Sequence, residues 1–109
     1  MKPFAVTLCL LGTALLTFAT ESYADNTKLD GEALFMKKCI ACHANGGNQI
    51  NPMKTLSRKD LEQNNISTPE AIVKLIRKPG PGMLTFNAKS LSDEEAKAIA
   101  EYVLSAFNK

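Results

Sequence analysis

With 13 Lys and Arg against 11 Asp and Glu in 109 residues, the chain carries a formal net charge of only +2. That length suits one small domain, and so slight a positive balance argues against nucleic-acid binding, which needs a strongly basic face. No internal repeat or low-complexity tract is present, and three cysteines are too few for a disulfide framework.

The first residues read as an export signal. Met1-Lys2 precedes the apolar stretch Phe4–Phe18, and Ser22-Tyr23-Ala24 is a small-x-small cleavage site. The stretch contains Thr7, Gly12, Thr13 and Thr17 and falls short of the ~20 predominantly apolar residues of a membrane span. Cleavage after Ala24 is expected, so residues 1–24 are a signal peptide and residues 25–109 the mature domain, with no further membrane candidate. Cys9 departs with the signal, leaving Cys39 and Cys42 as the mature thiols. Loss of Lys2 together with Glu21 leaves the net charge unchanged. No Arg/Ser-rich transit sequence precedes the signal, which fits a bacterial or organelle-encoded product. A domain this small has a marginal core and leans on a disulfide, a metal or a cofactor.

The first expected helix follows Asp30, a favoured N-cap residue. Gly31, Phe35 and Cys39 recur at four-residue spacing and share a face. Gly31 would admit the close approach of a second backbone, while Glu32, Lys37 and Lys38 lie opposite. Directly after it, Cys39-Ile40-Ala41-Cys42-His43 is a C-x-x-C-H run, the attachment pattern of a c-type haem. Each thiol can form a thioether to a vinyl group on one edge of the porphyrin. His43 then follows closely enough to place an imidazole nitrogen on the iron.

Asn45-Gly46-Gly47-Asn48 is a turn-rich loop. A short helix from about Ser57 to Gln63 is expected next, capped by Ser57 and ended by Asn64-Asn65. Thr68 caps a third, with Pro69 at its first position. Ile72, Val73, Leu75 and Ile76 form its apolar face, Lys74, Arg77 and Lys78 line the other, and Pro79-Gly80-Pro81-Gly82 stops it. The last helix opens on the capping box Ser92-Asp93-Glu94-Glu95. Ala96, Ile99, Ala100, Val103 and Phe107 follow at helical spacing, with Tyr102 on the same half. No alternating run predicts a strand. The expected fold is all-α, about four helices wrapped around one covalently attached haem.

A haem bound by His43 needs a second axial ligand. Met36 precedes Cys39 on the same helix and cannot easily reach across the porphyrin, and Met53 would have to cross the haem plane in a short loop. Met83 lies far enough along to wrap the haem, in a loop stiffened by prolines. A thioether is a soft, neutral ligand that favours ferrous iron and raises the reduction potential relative to a second imidazole. With both axial positions filled, no substrate reaches the iron, and the site moves one electron; the protein is not expected to be an enzyme. The competing haem reading is a gas-sensing or peroxidase-like protein in which Met83 is labile. Thiol–disulfide exchange by Cys39 and Cys42 would want a βαβ context that the helical pattern lacks. Two cysteines and one histidine also fall short of a closed zinc site.

The mature chain resembles, over nearly its whole length, the class I cytochromes c of the cytochrome c6 family, also called cytochrome c-553. Gly31-Glu32 through Phe35 and Cys39 is similar to that family's first helix. His43-Ala44, Gly46, Asn48, Ile50, Pro52 and Lys54-Thr55-Leu56 resemble its post-haem loop. Met83 and Phe86 resemble its ligand loop, and Leu91-Ser92-Asp93-Glu94 through Tyr102-Val103-Leu104 its C-terminal helix. The resemblance implies a soluble, monomeric carrier of electrons from the cytochrome b6f complex to photosystem I in the thylakoid lumen. Some members supply a terminal oxidase, which makes a respiratory carrier of the lumen or a bacterial periplasm the alternative.

The resemblance puts one haem c on thioethers at Cys39 and Cys42, with axial ligands His43 and Met83. It also implies that the Pro52 carbonyl accepts a hydrogen bond from His43. Three features depart from the family pattern: Leu84 where proline is usual, Pro79-Gly80-Pro81-Gly82 in place of Gly-Lys-Asn-Ala, and Leu75 where a glutamine normally faces the haem. Side branches with an aliphatic residue at the last position resemble lower-potential carriers, so a lowered potential is expected. Lys37, Lys38, Lys74, Arg77 and Lys78 are the candidates for steering acidic partners to the haem edge.

Overall fold

The computed structural model describes residues 28–107; the expected signal peptide, its expected cleavage site and Cys9 lie outside the described residues. The elements are α1 (Gly31–Lys38), α2 (Ile40–His43), α3 (Arg58–Gln63), α4 (Pro69–Arg77) and α5 (Asp93–Ala106), with a 3-10 turn over Ala44–Gly46. There is no strand among the described residues.

Local chemistry sets most of the boundaries. Asp30, Ser57, Thr68 and Ser92 each sit in extended backbone and accept a hydrogen bond from the N–H three residues on. This occupies one of the amide donors left without a partner at a helix start. At α5 the box is complete, because the Glu95 carboxylate accepts in return from the Ser92 N–H at 2.8 Å. α3 ends where Asn65 takes a left-handed φ of 56°. α4 ends before Pro79, with Lys78 in non-helical backbone (φ −135°, ψ 75°), since a following proline disfavours the helical region.

The helix of the C-x-x-C-H run is one the sequence pattern did not separate. At Cys39 the backbone opens to φ −120° and interrupts α1. The Cys39 N–H still donates to Phe35, while its carbonyl accepts from both Cys42 (3.2 Å) and His43 (3.0 Å). One residue thus closes one helix and opens the next turn.

α5 crosses both α1 and α4. Its apolar stripe, Ala96, Ile99, Ala100 and Val103, buries against Phe35, Leu61, Ile72, Ile76 and Leu91, and no polar residue joins that core among the described residues. Phe35, Tyr102 and Phe107 form an aromatic trio with centroids 5.3–5.9 Å apart, Phe35 tilted to both partners and Tyr102 edge-on to Phe107, a spacing typical of favourable ring pairs. The crossing of α1 over α5 depends on Gly31. A Cβ there would collide with the Ala98 carbonyl oxygen and stand 2.7 Å from its carbon and 3.1 Å from Tyr102 Cβ. The two backbones meet where Gly31 has no side chain, as its place on the helix face leads one to expect.

Candidate haem site

Packing α5 across α1 and α4 leaves a cavity of about 600 Å³ beneath the C-x-x-C-H turn and the loop after α4. Such a volume lies within the range of enclosed small-molecule sites, ~300–1,000 Å³. Its apolar wall includes Phe35, Leu56, Leu61, Ile72, Leu75, Ile76, Phe86 and Ile99. Cys39, Cys42, His43 and Met83 all line it. Of the methionines among the described residues, Met36 and Met53 stand at 52% and 81% exposure and take no part in the lining.

His43 is oriented by its own loop. Nδ1 lies 2.7 Å from the Gly47 carbonyl. A carbonyl oxygen only accepts, so the proton is on Nδ1 and the lone pair of the neutral ring is on Nε2. This corrects the expectation that Pro52 is the acceptor. Asn45 (φ 55°) and Gly46 (φ 75°) curl the chain back through left-handed backbone, which brings the Gly47 carbonyl to the ring, while Pro52 stays exposed. Asn48 then builds the rest of the loop: its side-chain oxygen accepts from the N–H groups of Ile50 and Asn51, and its amide donates to the Lys54 carbonyl.

Thr55, also on the cavity wall, donates through both its N–H and its hydroxyl to the Asp60 carboxylate. The hydroxyl contact first, then the backbone one, holds the Asp60 carboxyl below the usual carboxylate range. This network ties the loop to the first turn of α3.

Burial pushes the Cys39 thiol up to about 11, with Lys38 opposing. Thiol exchange needs the reverse, a lowered pKa that populates thiolate, so Cys39 does not have the electrostatics of an attacking thiol. No group of three or more His, Cys, Asp or Glu that could hold a metal ion occurs among the described residues. Two thiols on one wall, an imidazole with its second nitrogen occupied, a thioether and an apolar cavity make a donor set suited to one tethered porphyrin.

The loop after α4 closes the site. Gly82, at φ 92°, lies against Ile50, whose Cγ2 would be 2.6 Å from any Cβ there. The Met83 loop and the post-motif loop therefore meet, and Ile50, Met53 and Leu84 stand exposed beside them. Among the expected steering cations, Arg77 is withdrawn from that role. Its Nη1 donates to the Phe86 and Leu91 carbonyls and its Nη2 to Asp93, so the side chain is engaged within the fold. Local sequence carried no signal for this, because its partners lie on a loop and on another helix. Lys38 and Lys54 are the cationic residues of the cavity wall.

Comparison with known proteins gives a consistent result. The family described as cytochrome C oxidase, cbb3-type, subunit III matches residues 26–103. Cytochrome c6 of Cyanidium caldarium is 40% identical over 106 residues, 96% of this chain and 90% of that protein. Among solved structures, the outer membrane cytochrome F of Geobacter sulfurreducens superposes with a TM-score of 0.69 at 42% identity, over 71% of this chain and 98% of that one. Cytochrome c6C of Synechococcus sp. PCC 7002 superposes at 0.67 with 32% identity, over 72% and 95%.

Proposed function

The chain belongs to the class I c-type cytochromes of the cytochrome c6 family, and from that premise we propose that Cys39 and Cys42 would bear the thioethers and that His43 Nε2 and Met83 Sδ would hold the iron. The family carries one covalently bound haem c and consists of electron carriers rather than enzymes. The observation that supports this assignment is the convergence of those four side chains on one apolar cavity. When bound, the haem supplies a one-electron ferrous–ferric couple. The chain's residues do the rest. Gly47 holds the Nδ1 proton of His43, which keeps Nε2 free to ligate and raises its basicity. The apolar part of the wall would pack against the porphyrin faces. His43 and Met83 would hold the iron from protein segments that are already part of the cavity wall.

We place the protein in the thylakoid lumen, taking electrons from the cytochrome b6f complex and delivering them to photosystem I. No helix among the described residues is long and apolar enough to cross a membrane. A second reading, a periplasmic respiratory carrier to a terminal oxidase, is favoured by the likeness to a bacterial outer membrane cytochrome and by Leu75 on the cavity wall.

The exported protein is expected to gain the mass of one haem, retained under denaturing conditions and lost in Cys39→Ala/Cys42→Ala. The holoprotein is expected to reduce photo-oxidised photosystem I faster than it reduces a terminal oxidase. An unchanged polypeptide mass would refute the site assignment, whereas the opposite order of rates would favour the respiratory reading.

Leu75 offers a further check. An amide donor near the haem stabilises the electron-rich ferrous state, while a drier wall disfavours the ferric charge. We expect the first effect to dominate, so that Leu75→Gln raises the potential in protein-film voltammetry. A fall would reverse that ranking.

A further inference from the structure

We propose that Arg77 is the positioning residue for Met83: its guanidinium closes the loop that carries the sulfur, so that loss of Arg77 releases the axial ligand. The inference rests on the assignment of Met83 as a ligand. The loop leaves α4 at Lys78 and rejoins the helical frame at Ser92; residues 87–91 are closed by bonds to Asn87, but the part that carries Met83 is sparsely bonded. Between Pro79 and Phe86, the backbone bonds among the described residues are Met83 N–H to Gly80 at a long 3.5 Å and Phe86 N–H to Ile76 at 3.3 Å.

Arg77 is the only side chain among the described residues that hydrogen-bonds this stretch. Nη1 reaches the Phe86 carbonyl at 3.0 Å and the Leu91 carbonyl at 2.8 Å, and Nη2 reaches the Asp93 carboxylate at 2.6 Å. One planar fork at the end of α4 therefore fixes both ends of the segment 86–91 and the first residue of α5. Its side chain is 23% exposed, so the carbonyl contacts are shielded, whereas Asp93 is 79% exposed and screened by water.

Chemistry makes this bracing matter at the iron rather than only for folding. A thioether is a neutral and comparatively weak ligand, so its ligation relies on the loop being held in place before it binds. A lysine cannot replace the fork, because a point charge does not span two carbonyls and a carboxylate in one plane.

The test uses ferric and ferrous holoprotein. The wild type should show the sulfur-to-iron charge-transfer band when ferric and bind carbon monoxide slowly when ferrous. In Arg77→Met the band should weaken and carbon monoxide binding should accelerate by about tenfold, at temperatures where far-ultraviolet circular dichroism shows the helices intact. Arg77→Lys should behave similarly and serves where Arg77→Met does not assemble. Asp93→Ala removes only the exposed contact and should leave band and rate as in the wild type. Arg77 variants that keep the full band and the slow rate, even with a lower melting temperature, overturn the proposal. A wild type without the band overturns the ligand assignment instead.

Discussion

Met83→Ala is expected to open the iron: the ferric protein should become high-spin at neutral pH, and the ferrous protein should bind carbon monoxide rapidly. The reduction potential should fall by on the order of 0.1 V, a part of the ~0.8 V range that axial ligation spans. The sign follows from ligand chemistry. A thioether stabilises ferrous iron, and replacing it with water or an oxygen ligand shifts the balance toward ferric. Alanine also removes side-chain volume from the wall of an existing cavity, so solvent can enter where the sulfur was. Met36→Ala and Met53→Ala are the controls, since both side chains are exposed and away from the cavity. A Met83→Ala protein that stays low-spin and inert to carbon monoxide would mean that another group ligates the iron. A high-spin wild type would mean that the sulfur was never bound.

Gly31→Ala sets two effects of opposite sign against each other. Helix propensity favours alanine by about 1 kcal/mol in a helix interior, and less at the first position of α1. Packing opposes it. The new methyl would meet a backbone carbonyl rather than the tip of a flexible side chain, so neither α1 nor α5 can yield without shifting the crossing. Overpacking of a tight contact costs about 1–3 kcal/mol and sometimes more. We expect the clash to win, with a net loss of about 2 kcal/mol. At about 4–8 °C per kcal/mol for a domain of this size, the melting temperature should drop by roughly 10 °C. The displacement would reach the cofactor, because Phe35 and Cys39, on the same face of the chain as Gly31, both line the cavity. A melting temperature equal to or above the wild type would show that the crossing adjusts freely and that the close approach is incidental.

The haem motif, the helix starts and Gly31 were legible because each is a local matter. A C-x-x-C-H run places two thiols and an imidazole by covalent spacing alone. Asp30, Ser57, Thr68 and Ser92 cap their helices through bonds to an N–H three residues away. Chain length and loop chemistry singled out Met83 from Met36 and Met53, and of the three it is the one that lines the cavity. Apolar spacing in α4 and α5 marked the faces that bury, among them Ile72, Ile76, Ile99 and Val103.

Other features had no local signature. The break at Cys39 arises because one carbonyl accepts from both Cys42 and His43, a geometry that the alternation of residue types does not encode. The acceptor for His43 is decided by successive left-handed residues at Asn45 and Gly46, which select Gly47 over Pro52. Arg77 reads as a solvated cation on a helix face. Only when α4, α5 and the loop between them are assembled do the carbonyls of Phe86 and Leu91 come within reach of its guanidinium. Sequence by itself determined the cofactor chemistry and the all-α character, because those follow from contacts within a turn or two of helix. Tertiary structure decided which hydrogen bonds brace the loops around the cavity, because bonds between distant segments exist only after the apolar faces have brought those segments together.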